Sequence, residues 1–563
     1  MLGNSWIELF VYFILLIGLT PLLGHFIARV MNGEKLHVIS FFQPVERAIF
    51  RASGVNPNHE MGWKEYAFSL LSFNVVGIVV LFLLQIFQKH LPLNPRGFSG
   101  VHPLLALNTA VSFVMNTNWQ AYSGEVTLSY FSQLIGLTVQ NFVSAAEAIV
   151  VLAALARGIS RREASTLGNF WVDLIRATLY ILLPVSFILS ILLVSQGAIQ
   201  NIGNYVDAKT IQGAVQTLPM GPAASQIAIK QLGTNGGGFF GSNSAHPFEN
   251  PTPLSNFLEM LAILILPAAC AYAWGILVKN RRHGIALLTA MFAVTFLCLA
   301  VAIWAELHRN PVLGGLPFME GKEIRFGIIP SVLWEMATTL ASNGSVNSMH
   351  SSSSPIAGGM AMFNMMMGEV IFGGIGSGLY GIVFFAILTV YIAGLMVGRT
   401  PEYLAKKIEA PEVVYALLGV LLPSAAILFL ASISCVLPQG LASLGNKGPH
   451  GLSEILYAFT SASQNNGSAF ASLNADTAYY NITTAIAMLI GRYGFMIPSL
   501  AIAGSLVRKK YVPPSAGTFP TEGYLFITLL IGVIIIVGAL TFFPALCLGP
   551  IMEHFLMNAG RVF

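Results

Sequence analysis

The chain has 563 residues, of which 55% are hydrophobic and only 9% charged, with mean hydropathy +0.72. Soluble domains carry about 25% charged residues, so this composition excludes a soluble enzyme or binding module and specifies an integral membrane protein. The formal net charge of +4 is small, and the basic residues are scattered rather than gathered into a patch, which excludes a nucleic-acid partner.

A membrane span takes about 20 mostly apolar residues. In chain order the candidates are Trp6–Leu23, Tyr66–Phe87, Phe131–Leu155, Phe170–Val194, Leu254–Val278, Ile285–Trp304, Met365–Val397, Val413–Val436, Ile482–Leu506 and Leu525–Leu548, ten in all. The first has no basic residue before it and no small-residue cleavage site, so a retained anchor is expected rather than a signal peptide. Cys270, Cys298, Cys435 and Cys547 all fall in apolar segments without metal-ligand spacing and read as core residues.

Between these spans a polar triplet recurs four times: Asn116-Thr117-Asn118, Thr234-Asn235-Gly236, Ser342-Asn343-Gly344 and Asn465-Asn466-Gly467. Each follows a short apolar segment (Pro103–Met115, Ser225–Leu232, Ser331–Ala341, Leu452–Gln464), and the first residues, 116, 234, 342 and 465, stand 118, 108 and 123 apart. Near-constant spacing marks an internal repeat of span, short re-entrant helix, triplet and span. The division expected is 1–62 as an anchor helix and cytoplasmic loop, 63–162, 163–282, 283–411 and 412–510 as repeats one to four, and 511–563 as a last helix.

Non-helical backbone at membrane depth persists only where protein buries it or it lines a watery cavity. Four like-oriented loops meet that condition by converging on one axis, with the partly negative C-terminal ends of the short helices facing a cation. The triplets hold Thr, Ser, Asn and Gly but no carboxylate. Backbone carbonyls suit a monovalent cation that sheds its water, whereas divalent sites normally use acidic side chains; potassium is the expected ion. The bland alternative, re-entrant loops of purely structural role, fits one such loop better than four in register.

Seventeen Lys and Arg residues lie in the five loops without a triplet and eight in the four longer triplet-bearing loops. The bias predicts the triplets, and both termini, on the extracytoplasmic side.

Other polar features divide into functional and structural candidates. Met365–Val397 is too long for one straight span and contains Gly368, Gly373, Gly374, Gly376, Gly378 and Gly381, predicting a broken helix that gates the space under the triplets, with close helix packing as the alternative. Arg492, between Gly491 and Gly494 in mid-span, is expected to oppose straight-through cation flow, and Glu369 to relieve that charge or bind cations; a satisfied ion pair is the competing reading. Asp173 and Arg176 are expected to pair with each other, Glu147 receives no role, and Gln120, Glu125, His246 and Glu249 are expected to buttress the outer vestibule. No GxxxxGK[ST] loop, HExxH, GxSxG or Cys/His cluster is present, so any ATP that drives uphill transport is expected to act through a partner. A self-sufficient potassium channel or cation symporter is the alternative.

The stretches Asn108–Glu125, Thr127–Phe142, Leu232–Pro251, Gly368–Gly381, Gly398–Glu409 and Asn465–Ala471 resemble the KdpA family, the potassium-binding, channel-like subunits of bacterial Kdp potassium-transporting ATPases. The likeness runs over essentially the whole chain. It implies an all-α membrane protein with ten spans and four M1-P-M2 repeats in the bacterial inner membrane. It also implies K+ as transported substrate, no nucleotide on this chain, and partners comprising a P-type ATPase catalytic subunit, a single-span accessory subunit and a small lipid-like one. By motif, the resemblance makes Asn116–Asn118, Thr234–Gly236, Ser342–Gly344 and Asn465–Gly467 the selectivity filter, and places the glycine-broken third M2 segment, Glu369 and Arg492 on the ion path beneath it. Two positions depart from the family pattern: Ser351 stands where Asp is common, and Asn343 where some relatives carry Cys.

Overall fold

The computed structural model describes residues 2–34, 37–308, 310–368, 370–396, 398–399, 401–513 and 518–561. Among them ten helices are long and apolar enough to cross a membrane: Ser5–Met31, Trp63–Ile86, Ser132–Ser160, Phe170–Ser195, Pro253–Leu277, Arg281–Leu307, Ser377–Met396, Ala410–Val436, Ala478–Leu506 and Tyr524–Asn558. Without water, every backbone N–H and C=O must be satisfied within its own segment, which forces these apolar runs into helices. Their starts carry local signals. Asn169 accepts from the N–H groups of Trp171 and Val172, Thr252 and Ser255 form a reciprocal capping box, and Thr477 accepts from Tyr480 N–H.

Burial sorts the helices into an inner and an outer ring. In the most apolar stretch of each helix that follows a triplet (Ser132–Ser160, Pro253–Leu277, Ser377–Met396, Ala478–Leu506), 83, 78, 72 and 72% of residues are buried. In their partners before the triplets (Trp63–Ile86, Phe170–Ser195, Arg281–Leu307, Ala410–Val436) the shares are 28, 44, 50 and 44%, and in the first and last spans 28% each. The second helix of every repeat therefore faces the axis. The first faces outward and presents side chains such as Phe68, Phe187 and Phe429.

Four short helices enter between these pairs: Pro103–Val114, Ala223–Leu232, Ile328–Leu340 and Gly448–Ser463. Two small hairpins, Val206–Lys209 with Val215–Leu218 and Glu402–Tyr403 with Lys406–Lys407, are the only strands among the described residues.

Two expectations need correction. The break expected within Met365–Val397 is present, but no span starts at Met365: one helix, Pro355–Met366, ends there, and the next, Ser377–Met396, begins after a stretch that is non-helical in its described residues. Val397 and Glu369 lie outside the described residues. Asp173 and Arg176 do not pair with each other. Arg157 donates to Asp173 at 2.8 Å, and Arg176 pairs with Glu46 at 3.0 Å, because the two side chains leave their helix toward different neighbours.

Candidate functional site: a ring of four left-handed triplets

Each short helix runs directly into its triplet, and all four triplets adopt one backbone. The first residue has positive φ (Asn116 60°, Thr234 48°, Ser342 46°, Asn465 51°), the middle residue does not, and the third is positive again (Asn118 54°, Gly236 86°, Gly344 86°, Gly467 99°). Alternating the hand of the backbone in this way turns successive carbonyls toward one side, the geometry needed to line a hole. Positive φ is strained for a β-branched residue such as Thr234, and strain repeated at one position in four repeats marks a site rather than an accident. At the third position of repeat one, Asn118 replaces glycine, and Asn is the side chain that best tolerates this region.

The short helices hold the triplets through one repeated bond. The N–H of the middle residue donates to the carbonyl five residues earlier: Thr117 to Ser112 (2.9 Å), Asn235 to Lys230 (2.8 Å), Asn343 to Thr338 (3.0 Å) and Asn466 to Ser461 (2.8 Å). Side chains then close the ring. Asn116 Nδ2 donates to the Thr234 carbonyl (3.0 Å), Asn343 Nδ2 to the Lys230 carbonyl (3.0 Å), Asn466 Nδ2 to the Thr338 carbonyl (2.9 Å) and Asn465 Nδ2 to Thr117 Oγ1 (2.9 Å). Repeat one is thus bonded to two, two to three, three to four, and four back to one. The glycines set the spacing: a Cβ on Gly236, Gly344 or Gly467 would collide with the middle-residue carbonyl of the next repeat, that of Asn343, Asn466 or Thr117 respectively.

Gln120, Glu125, His246 and Glu249, expected at an outer vestibule, contact the segment that follows the second triplet. Gln120 bonds both ways to Gly238, accepting from its N–H at 2.8 Å and donating to its carbonyl at 3.1 Å. Glu125 accepts from Gly241 N–H at 2.7 Å. His246 stacks on Phe240 with ring centroids 4.0 Å apart, and burial holds its imidazole pKa below the ordinary value. Glu249 accepts from Phe240 N–H at 3.0 Å and pairs with Lys230, both side chains being wholly buried. Lys230 sits on the second short helix, and its Nζ also donates to Asn243 Oδ1 (2.9 Å). Asn243 Nδ2 in turn donates to the Gly236 carbonyl (2.7 Å). A second buried pair, Lys322 with Glu306 at 2.8 Å, supports repeat three.

Beneath the ring lies the break in the third repeat. Gly368, Phe372, Gly373 and Gly376 have positive φ, and Val370, Ile371, Phe372 and Ile375 are buried. Ile375 N–H donates to Thr234 Oγ1 (2.9 Å), and Gly373 N–H to the Leu340 carbonyl (3.0 Å). A Cβ on Gly376 would stand 2.6 Å from the Ala148 carbonyl. One loop therefore touches repeats one, two and three under the triplets. Arg492 approaches from repeat four: its Nη2 donates to the Ser144 carbonyl at 2.8 Å and lies 3.6 Å from Glu147 Oε2, with both side chains buried. Ser144 Oγ donates to Asn116 Oδ1 (2.7 Å), linking this layer to the ring. The acidic partner of Arg492 is thus Glu147, to which the sequence reading gave no role. No spacing rule could have paired residues that meet only through tertiary packing.

The chemistry on offer is a constriction of backbone carbonyls and amide side chains, free of carboxylates and backed by buried charge pairs. Fold and site together define a ten-span membrane protein with four pore-loop repeats around one axis. The chain belongs to the KdpA family: the family profile described as potassium-transporting ATPase A subunit matches residues 10–555. It is 55% identical over 569 residues to a potassium-transporting ATPase potassium-binding subunit of Rhodospirillum centenum, covering 100% of this chain and 99% of the relative. Proteins of the same name are 55% identical over 564 residues in Leptospira interrogans (100% of both chains) and 54% over 548 residues in Pseudomonas aeruginosa (96% and 97%). Among solved structures, the potassium transporter TrkH from Vibrio parahaemolyticus aligns with TM-score 0.52 at 13% identity, over 88% of this chain and 98% of that one. That likeness is one of fold.

Proposed function

We propose that the chain is the potassium-selecting and translocating subunit of an ATP-driven, high-affinity potassium uptake complex. It takes extracellular K+ at the ring formed by Asn116–Asn118, Thr234–Gly236, Ser342–Gly344 and Asn465–Gly467 and delivers it to a partner P-type ATPase subunit. The observation that carries this reading is the fourfold alternation of backbone hand within a closed hydrogen-bonded ring. It offers rigid carbonyl oxygens to a cation that must lose its hydration shell.

Below the ring, the apolar loop around Ile371–Ile375 and the Arg492 guanidinium disfavour straight-through conduction, which leaves a sideways exit toward the ATPase subunit. Gly373, Gly374 and Gly376 shape that loop, and Glu369 takes part in the exit. A single-span accessory subunit and a small lipid-like subunit complete the complex in the bacterial inner membrane, with the triplets and both termini on the extracytoplasmic side. The divisions at 62, 162, 282, 411 and 510 separate the anchor, the four repeats and the last helix.

Rubidium uptake in potassium-starved cells lacking their own transporters tests this. The chain is expressed alone, then with the ATPase and accessory subunits of its operon. Uptake only with the partners, abolished by ATP depletion, is expected. Equal uptake by the chain alone would make it a channel or symporter.

A further inference from the structure

The ring is built in two different ways, and the difference follows a sequence signature. Repeats three and four read Asn-Gly-Ser (Asn343-Gly344-Ser345 and Asn466-Gly467-Ser468), whereas the equivalent third residue is Trp119 in repeat one and Gly237 in repeat two. In both Asn-Gly-Ser repeats the serine folds back on the asparagine. Ser345 N–H donates to Asn343 Oδ1 at 3.0 Å and Ser468 N–H to Asn466 Oδ1 at 2.9 Å, and each serine hydroxyl donates to the same oxygen. With Oδ1 so occupied, the asparagine can turn only its NH2 outward. That NH2 reaches the backbone of the preceding repeat's short helix, at the Lys230 and Thr338 carbonyls respectively. Those two carbonyls already receive the middle-residue N–H of their own triplets, Asn235 and Asn343. Each serine therefore orients an amide that fixes the height of the neighbouring repeat's triplet.

In repeat four the chain of donors extends outward. A hydroxyl carries one proton, so the short contacts permit one consistent direction. His350 Nδ1 donates to Tyr457 Oη (2.9 Å), Tyr457 to Ser468 Oγ (2.8 Å), Ser468 to Asn466 Oδ1, and Asn466 to the Thr338 carbonyl. His350, Tyr457, Ser468 and Asn466 are all buried, so water does not compete for these bonds, and buried donors and acceptors are costly to leave unmet. In repeat three the single Ser345 hydroxyl proton has two acceptors, Asn343 Oδ1 and Gln231 Oε1 at 2.9 Å, and Gln231 Nε2 donates to Glu259 at 2.8 Å. Repeats one and two lack the clamp. Asn235 Nδ2 turns instead to Asn116 Oδ1 and Ser144 Oγ.

We infer that Ser345 and Ser468 are specificity-determining positioning residues: each locks the middle asparagine of its triplet so that the asparagine holds the neighbouring repeat's triplet at the height that discriminates among monovalent cations. This rests on the proposed filter. Without the serine hydroxyl, Oδ1 keeps the serine backbone N–H but loses its second donor, so the amide is held less firmly against the neighbouring carbonyl.

The test uses the complete complex and measures potassium, rubidium and sodium competition for uptake, together with the amount of assembled complex in the membrane. Ser345→Ala and Ser468→Ala are each expected to lower discrimination by about tenfold, the effect of losing one buried hydrogen bond, with assembly unchanged. Ser468→Thr, which keeps the hydroxyl, is expected to restore it. Tyr457→Phe should give a smaller loss, and Tyr457→Phe with Ser468→Ala should be no worse than Ser468→Ala alone, because both act through Asn466. Wild-type discrimination in an assembled Ser→Ala variant would overturn the inference. If neither alanine variant assembles, Tyr457→Phe decides: unchanged discrimination there overturns the relay. Failure of the wild-type complex to take up potassium would instead overturn the proposed function.

Discussion

Gly236, Gly344 and Gly467 satisfy two demands at once, a left-handed backbone and contact with the next repeat's carbonyl. Serine at Gly236 or Gly344 should therefore displace a neighbouring carbonyl and weaken potassium-over-rubidium preference in competitive uptake, whereas Gly532→Ala, with no atom within 4 Å of the new carbon, should leave it unchanged. Asn118 meets only the backbone demand, so Asn118→Gly should retain selectivity, whereas Asn118→Val, β-branched at positive φ, should lose it. Charge burial separates two further residues. Glu306→Ala would strand Lys322 in a site where the side chains are 1% and 0% exposed, and should cost about 3–5 kcal/mol, read as a fall in the thermal unfolding midpoint of the purified complex. Glu163→Ala breaks a pair whose side chains are 84% and 63% exposed and should not move that midpoint measurably.

At the scale of elements, the loop under the ring is the part that hydropathy misreads. Val370, Ile371, Phe372 and Ile375 are apolar because they are buried across the axis, yet a sliding average counts them as span, which is why the third repeat's second helix was expected to start at Met365. Its glycines gave the break away, since Gly368, Gly373 and Gly376 recur too densely for a continuous helix and each has positive φ. The short helices and triplets were legible because both carry local signals, an apolar run ended by polar, turn-prone residues. What the loop touches was not legible, because Thr234 is 141 positions from Ile375. Thr234→Val removes the oxygen that receives Ile375 N–H while keeping the shape of the side chain. It should loosen the loop and raise ATP-independent rubidium leak through the chain reconstituted into vesicles without its partners.

At the scale of the molecule, Arg492 joins the two ends of the repeat array, reaching a carbonyl 348 positions away in the first repeat. Sequence alone weighed a positive barrier against a satisfied pair. In the fold the residue has an acid 3.6 Å away and still lies one layer below the triplets, so the two readings are not exclusive. Arg492→Ala should release both the Ser144 carbonyl and Glu147, and should raise the ATP hydrolysed per rubidium ion taken up by the complex. An unchanged ratio and affinity would remove the barrier role. The ring itself has a wider consequence. Its four walls are written in four separate places along one chain and are not all alike, as Asn116, Thr234, Ser342 and Asn465 at the first positions show. In an assembly of four identical subunits a single codon change alters every wall together. Here it alters one and leaves three, so ion preference is open to adjustment in quarter steps, each exposed to selection on its own.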